Sequence, residues 1–173
     1  MRQLWQTVVV MLVAAWSAAP ARADKVEVKG VHLCCPSCVK SVQGILSKVE
    51  GVTDVACDRN AHTVTFSSAD HKTAESAFHA LLKGGFYGQA SDGGKALKTK
   101  NPGSKDKVDK VTVTQVHVCC NSCRKAIQSL FKDATITYAG SGAQRDVTIA
   151  GTNLDAATVM DTLRKAGFNG SPK

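Results

Sequence analysis

The chain is poor in aromatic residues, with two tryptophans, two tyrosines and five phenylalanines in 173 residues. So few rings leave little to stack bases on, which argues against nucleic-acid binding despite a formal charge of +8. Long apolar runs are also missing. The one apolar stretch, Val8 to Trp16, is bounded by Gln6 and Ser17 and falls short of the ~20 residues that span a bilayer. It follows the basic Met1-Arg2 and precedes Ala21-Arg22-Ala23, an A-x-A cleavage pattern, so residues 1–23 read as a signal peptide and the mature chain is expected to start at Asp24. The expected location is periplasmic or secreted, with no stable membrane insertion after cleavage. No cysteine lies near the cleavage point, which argues against a lipoprotein.

Also missing is the dispersed cysteine pattern of a disulfide framework. Of seven cysteines, six fall in two tight clusters, Cys34-Cys35-x-x-Cys38 and Cys119-Cys120-x-x-Cys123. Such spacing closes no long loop and constrains the unfolded chain little. A local reactive or ligand-binding role explains it better.

What the sequence does contain is an internal repeat. A shift of 85 positions places Val26 on Val111, Val28 on Val113, Val31 on Val116 and His32 on His117, and brings the three cysteines of each cluster into register. Near the end of each copy the shift becomes 82, with Lys83-Gly-Gly-Phe86 on Lys165-Ala-Gly-Phe168. The chain therefore divides into residues 1–23 (signal), 24–90 (first domain), 91–107 (a basic, Gly- and Pro-containing flexible linker) and 108–173 (second domain).

Within the first copy, residues 25–29 alternate apolar and polar as a strand does, and Val39, Val42, Ile45, Leu46 and Val49 recur at helical spacing, with Pro36 suited to a first turn and Gly51 to a stop. Residues 53–57 and 63–67 read as a hairpin. Ala74, Ala77, Phe78 and Leu81 form the stripe of a second helix, matched by Ala156, Val159, Met160 and Leu163. With a short last strand, each copy becomes βαββαβ. The expected fold is α+β, two tandem ferredoxin-like domains with helices on one face of an antiparallel sheet.

The cysteines would then lie where the first strand gives way to the first helix. Free N–H groups and the positive end of the helix dipole favour thiolates there. Cys35 and Cys38, and Cys120 and Cys123, can aim two sulfurs at one ion, enough for Cu+. Cys34 and His32, and Cys119 and His117, could complete Cys₃His sets of the kind zinc prefers. Because Cys34 and Cys35 are adjacent, convergence requires the backbone to turn between them. Cys57, His62, His71 and His79 have no counterparts in the other copy and stay outside the expected site.

Cys35-Pro-Ser-Cys38-Val39 with Val42 and Leu46, Val49-Glu-Gly51-Val52, Thr63-Val-Thr-Phe66 and the terminal Gly85-Phe86 and Gly167-Phe168 resemble heavy-metal-associated domains, the modules of copper chaperones, metal-transporting ATPase tails and periplasmic mercury-binding proteins. The resemblance implies one soft ion per CxxC loop, up to one per domain, passed by ligand exchange to a partner such as a metal-transporting membrane protein or another metal-binding domain. Leu33-Cys34 and Val118-Cys119 replace the family's usual Met-Thr before the CxxC, so both Zn2+ and Cu+ stay open. Phe86 and Phe168 are expected in the core. The expected function is non-enzymatic binding and transfer of metal. A thiol-disulfide oxidoreductase using Cys35-Pro-Ser-Cys38 is the alternative, and a scaffold sharing metal between the two loops is a third reading.

Overall fold

A computed structural model describes residues 24–173; the expected signal peptide lies outside them. The architecture is mixed α+β. The first half runs β1 (Asp24–Lys29), α1 (Pro36–Leu46), β2 (Val52–Asp58), β3 (Thr63–Ser68), α2 (His71–Lys83), β4 (Gln89–Asp92) and β5 (Lys95–Leu97). Its antiparallel strands lie in the order β2-β3-β1-β4-β5.

Strand alternation decides which side chains face the helices. Val26 pairs with Phe66 and Val28 with Val64, and all four are buried against Cys38, Val42 and Leu46 of α1 and Ala74, Ala77, Phe78 and Leu81 of α2. Burying each of the larger of these side chains contributes about 1.5–3 kcal/mol. Local chemistry sets the helix starts. Pro36 occupies the first turn of α1, where its fixed φ suits the helix and its missing N–H costs no hydrogen bond. Asp70 caps α2 by accepting from the Thr73 amide.

The second half runs β6 (Val108–His117), α3 (Asn121–Leu130), β7 (Thr135–Ala139), β8 (Gln144–Leu154), α4 (Ala156–Lys165) and β9 (Ser171–Pro172), with strand order β7-β8-β6-β9. Asp155 caps α4 through the Thr158 amide and also accepts from Lys107 Nζ at 2.8 Å. Both halves place a left-handed residue shortly before the cysteines, Gly30 at φ +78° and Gln115 at φ +61°. Gly30 follows the end of β1, whereas Gln115 lies within β6, at the register shift between Val113 and Val116.

Residues 91–107, read from the sequence as linker, begin with sheet structure. Gly93 and Gly94, both at positive φ, turn β4 into β5 and bury Leu97. The rest lies along α4, where Asn101 Nδ2 donates to the Ala157 carbonyl and to Asp161.

The two halves meet near their helix ends. Phe86 and Phe168 form an antiparallel bridge, with the Tyr87 amide donating to the Gly167 carbonyl at 3.0 Å and the Asn169 amide to the Gly85 carbonyl at 2.9 Å. The contact is close to two-fold symmetric. Glycine is required on both sides of it. A Cβ on Gly85 would clash with the backbone nitrogen of His117, and one on Gly167 with the backbone nitrogen of His32.

Candidate metal centre

The docking brings the two cysteine loops together. Cys35 and Cys120, both extended, precede the first residues of α1 and α3, while Cys38 and Cys123 are buried in the first turns. Cys34 and Cys119 approach from the ends of the preceding segments. The adjacent Cys34 and Cys35 do turn inward together, since their sulfurs and that of Cys38 lie within 4.8 Å of one another.

Sulfur–sulfur contacts within the first loop are 3.7 Å for Cys34–Cys38 and 3.6 Å for Cys35–Cys38. In the second loop they are 3.8 Å for Cys119–Cys123 and 3.7 Å for Cys120–Cys123. Contacts between loops are as short: Cys34 lies 3.6 Å from Cys120 and 3.5 Å from Cys123, and Cys119 lies 3.6 Å from both Cys35 and Cys38. All six are free thiols, at separations far longer than the ~2.05 Å of a disulfide. The eight expected ligands thus gather at the junction between the halves, instead of lying in one isolated loop per half.

The two histidines flank this cluster. His32 stacks on Phe168 with ring centres 4.2 Å apart, and His117 stacks on Phe86 at 4.3 Å. Each ring therefore rests on an aromatic residue of the opposite half. In both, Nε2 is buried without a hydrogen-bond partner. A buried, unpaired imidazole nitrogen costs stability unless something binds it, and a metal ion is the partner that thiols alongside would share. The residues present therefore fit a thiophilic ion. Phe86 and Phe168, expected in the core, are indeed buried, and they also fix the histidine planes. The repeated Gly-Phe dipeptide was the sequence trace of that second role.

The electrostatics favour ionisation of some thiols and not others, because six sulfurs in contact cannot all carry charge. Burial, and then contact with Cys123, pushes the Cys34 thiol up; burial, and then contact with Cys35, does the same to Cys119. Burial acts upward on Cys35 too. Amides of Cys38 and Ser37 and the neighbouring thiols of Cys119 and Cys38 outweigh it and bring Cys35 down to about 6. Cys38 and Cys123 occupy equivalent places and act on each other most strongly: the Cys38 contact holds Cys123 as a thiolate, and that contact raises Cys38. Burial lowers His117, keeping its ring neutral and able to donate a lone pair.

The remaining candidates lie elsewhere. Cys57 is half-buried on β2, where burial pushes its thiol up. His71 bonds Asp92 at the other end of the first sheet, and His62 sits in the β2–β3 turn at φ +52°. A residue the sequence reading missed is Arg59, whose guanidinium donates to the Cys34 carbonyl at 3.0 Å and so anchors the loop.

Thiols and imidazoles brought together at helix starts in this mixed α+β fold form a donor set that could hold a metal ion. Residues 25–87 match the heavy-metal-associated domain, about a third of the chain. No curated protein matches the chain.

Proposed function

We propose that this is an exported protein of two tandem heavy-metal-associated domains that sequesters soft or borderline metal ions, Zn2+ or Cu+, and hands them to a partner. The observation that carries the reading is the gathering of six free thiols, with neighbouring sulfurs 3.5–3.8 Å apart, beside two histidine nitrogens that are buried without partners. The second domain rests on the repeat of the cysteine loop and on the second β-α-β-β-α-β run. Export rests on the sequence pattern of residues 1–23. The metal is cargo, so no turnover is expected.

The partner would be a metal-transporting membrane protein or another metal-binding domain. No helix among the described residues is long and apolar enough to cross a membrane. The oxidoreductase reading is disfavoured, because a dithiol cycle needs one attacking and one resolving thiol. Here each CxxC pair is in contact with further thiols that would intercept the mixed disulfide.

The test is anaerobic purification followed by metal quantification and thiol titration. The expected result is thiophilic metal bound to the chain and lost in the Cys35→Ser/Cys120→Ser double variant. A metal-free chain that will not take up zinc or copper, yet reduces insulin disulfides catalytically, would sink the proposal.

A further inference from the structure

Six of the eight short sulfur contacts close two triangles, and neither triangle belongs to one loop; the other two, Cys34–Cys38 at 3.7 Å and Cys119–Cys123 at 3.8 Å, run within the loops and join the triangles. The first triangle joins Cys34 to Cys120 and Cys123, with edges of 3.6, 3.5 and 3.7 Å. The second joins Cys119 to Cys35 and Cys38, with all three edges at 3.6 Å. Each contains the CxxC pair of one half and the preceding cysteine of the other.

The histidines follow the same division. A ring nitrogen of His32 lies within 4.8 Å of the sulfurs of Cys34 and Cys123, and one of His117 lies within 4.8 Å of those of Cys38 and Cys119. The two groups are related by the repeat, residue for residue.

We propose that each loop lends its histidine and first cysteine to the CxxC pair of the other loop, making two Cys₃His sites that exist only between the halves. His32, Cys34, Cys120 and Cys123 hold one divalent d10 ion, and His117, Cys119, Cys35 and Cys38 hold the second. This rests on the metal-binding function proposed above and adds the ligand sets, the count and the class of ion.

Three observations favour it over ligand sets confined to one loop. First, a tetrahedral ion with bonds of about 2.3 Å to sulfur needs sulfurs about 3.8 Å apart. The two mixed triangles are within a few tenths of an ångström of that on every edge. Within the first loop, by comparison, Cys34 and Cys35 make no such short contact. Second, each histidine is held by an aromatic ring of the opposite half, so its position depends on docking. Third, each triangle has one histidine with a buried, unpartnered Nε2 beside it, and a fourth donor is what a three-sulfur face lacks for a tetrahedron. All eight donors are then used once. Metal uptake moves only thiol protons: each ligand cysteine still protonated gives up its proton to solvent, a thiolate gives up none, and each neutral imidazole binds through its lone pair.

The full chain, reduced and loaded with 113Cd alone, gives the test by cadmium–proton correlation NMR. Two cadmium resonances are expected, one coupled to the β-protons of Cys34, Cys120 and Cys123 and to the His32 ring, the other to Cys119, Cys35, Cys38 and His117. Cys34→Ser is then expected to shift the resonance tied to Cys120 and Cys123 and to leave the other nearly in place. Resonances each coupled to the three cysteines of a single loop would overturn the crossed assignment and leave the metal-binding function standing. More than two tightly bound cadmium ions would overturn the count. Failure to take up cadmium, zinc or copper would overturn both proposals.

Discussion

His32 lies flat against Phe168, their rings 4.2 Å apart and 28° from parallel, although the two residues come from opposite halves of the chain. The stack fixes a candidate ligand from across the junction. Shortening Phe168 to alanine removes a ring that is 1% exposed and leaves a cavity under the imidazole. The expected cost is about 3–5 kcal/mol, and Phe168→Leu should cost markedly less. Because a supporting side chain orients the ligand, Phe168→Leu should also weaken metal affinity about 10-fold, measured against a competing chelator. Unchanged affinity in a folded Phe168→Leu chain would show that the ring does not position His32.

Gly85 and Gly30 separate docking from local backbone freedom. Both adopt positive φ, but a Cβ on Gly85 would clash with the backbone nitrogen of His117 whereas one on Gly30 meets nothing within 4 Å. Gly85→Ala should therefore destabilise by at least about 2 kcal/mol and disturb the metal centre. Gly30→Ala should cost only the left-handed penalty of about 1 kcal/mol, with metal stoichiometry unchanged. Urea denaturation and metal titration on the two variants make the comparison.

Gln115 stands where the first half has Gly30, and its φ of +61° is unfavourable for any residue with a Cβ. Gln115→Gly should relieve that strain. The expected gain is up to about 1 kcal/mol, read as a higher urea midpoint with an unchanged slope.

Asp155 gives the fold an acid dependence away from the thiols. Its carboxylate accepts from Lys107 and from the amide and hydroxyl of Thr158, which hold its pKa at about 2, below the usual carboxylate range. A carboxyl lowered by folding stabilises the native state above its unfolded pKa of about 3.9 and loses that contribution as pH falls towards 2. Asp155→Asn should flatten the fall in stability between about pH 4 and pH 2. Lys107→Ala should raise the folded-state pKa of Asp155, so that less stability is lost and the loss is complete at a higher pH. Thermal melts across that range would show an unaltered profile if the pair were unimportant.

Sequence periodicity made much of the first half readable, because its core is assembled from regular spacings. Ala74, Ala77, Phe78 and Leu81 repeat as a helix face must, and Val26 and Val28 alternate as a strand does. The β4–β5 turn was less legible. Gly93-Gly94 is a hairpin signal, but the lysines around it read as linker, and only Leu97 of β5 turns inward. The cysteines announced a thiol site by their spacing alone. Which sulfur neighbours which could not be read, since Cys34 meets Cys123 across a junction 89 positions long in sequence. Nor could the stacking of each histidine on the other half's phenylalanine, which depends on docking and leaves no periodic trace.

The bridge between Phe86 and Phe168 has the form of an isologous contact, the kind by which identical subunits pair. A homodimer would have to use one residue for both roles at the position that follows. Here Tyr87 lies beneath the Arg164 guanidinium at 4.9 Å, while Asn169 accepts from that same arginine and donates to the Leu82 carbonyl. Carrying both partners on one polypeptide lets the two sides of a symmetric junction diverge. It also makes their encounter independent of protein concentration, so that assembly of the centre would survive dilution in a way no two-chain equivalent could match.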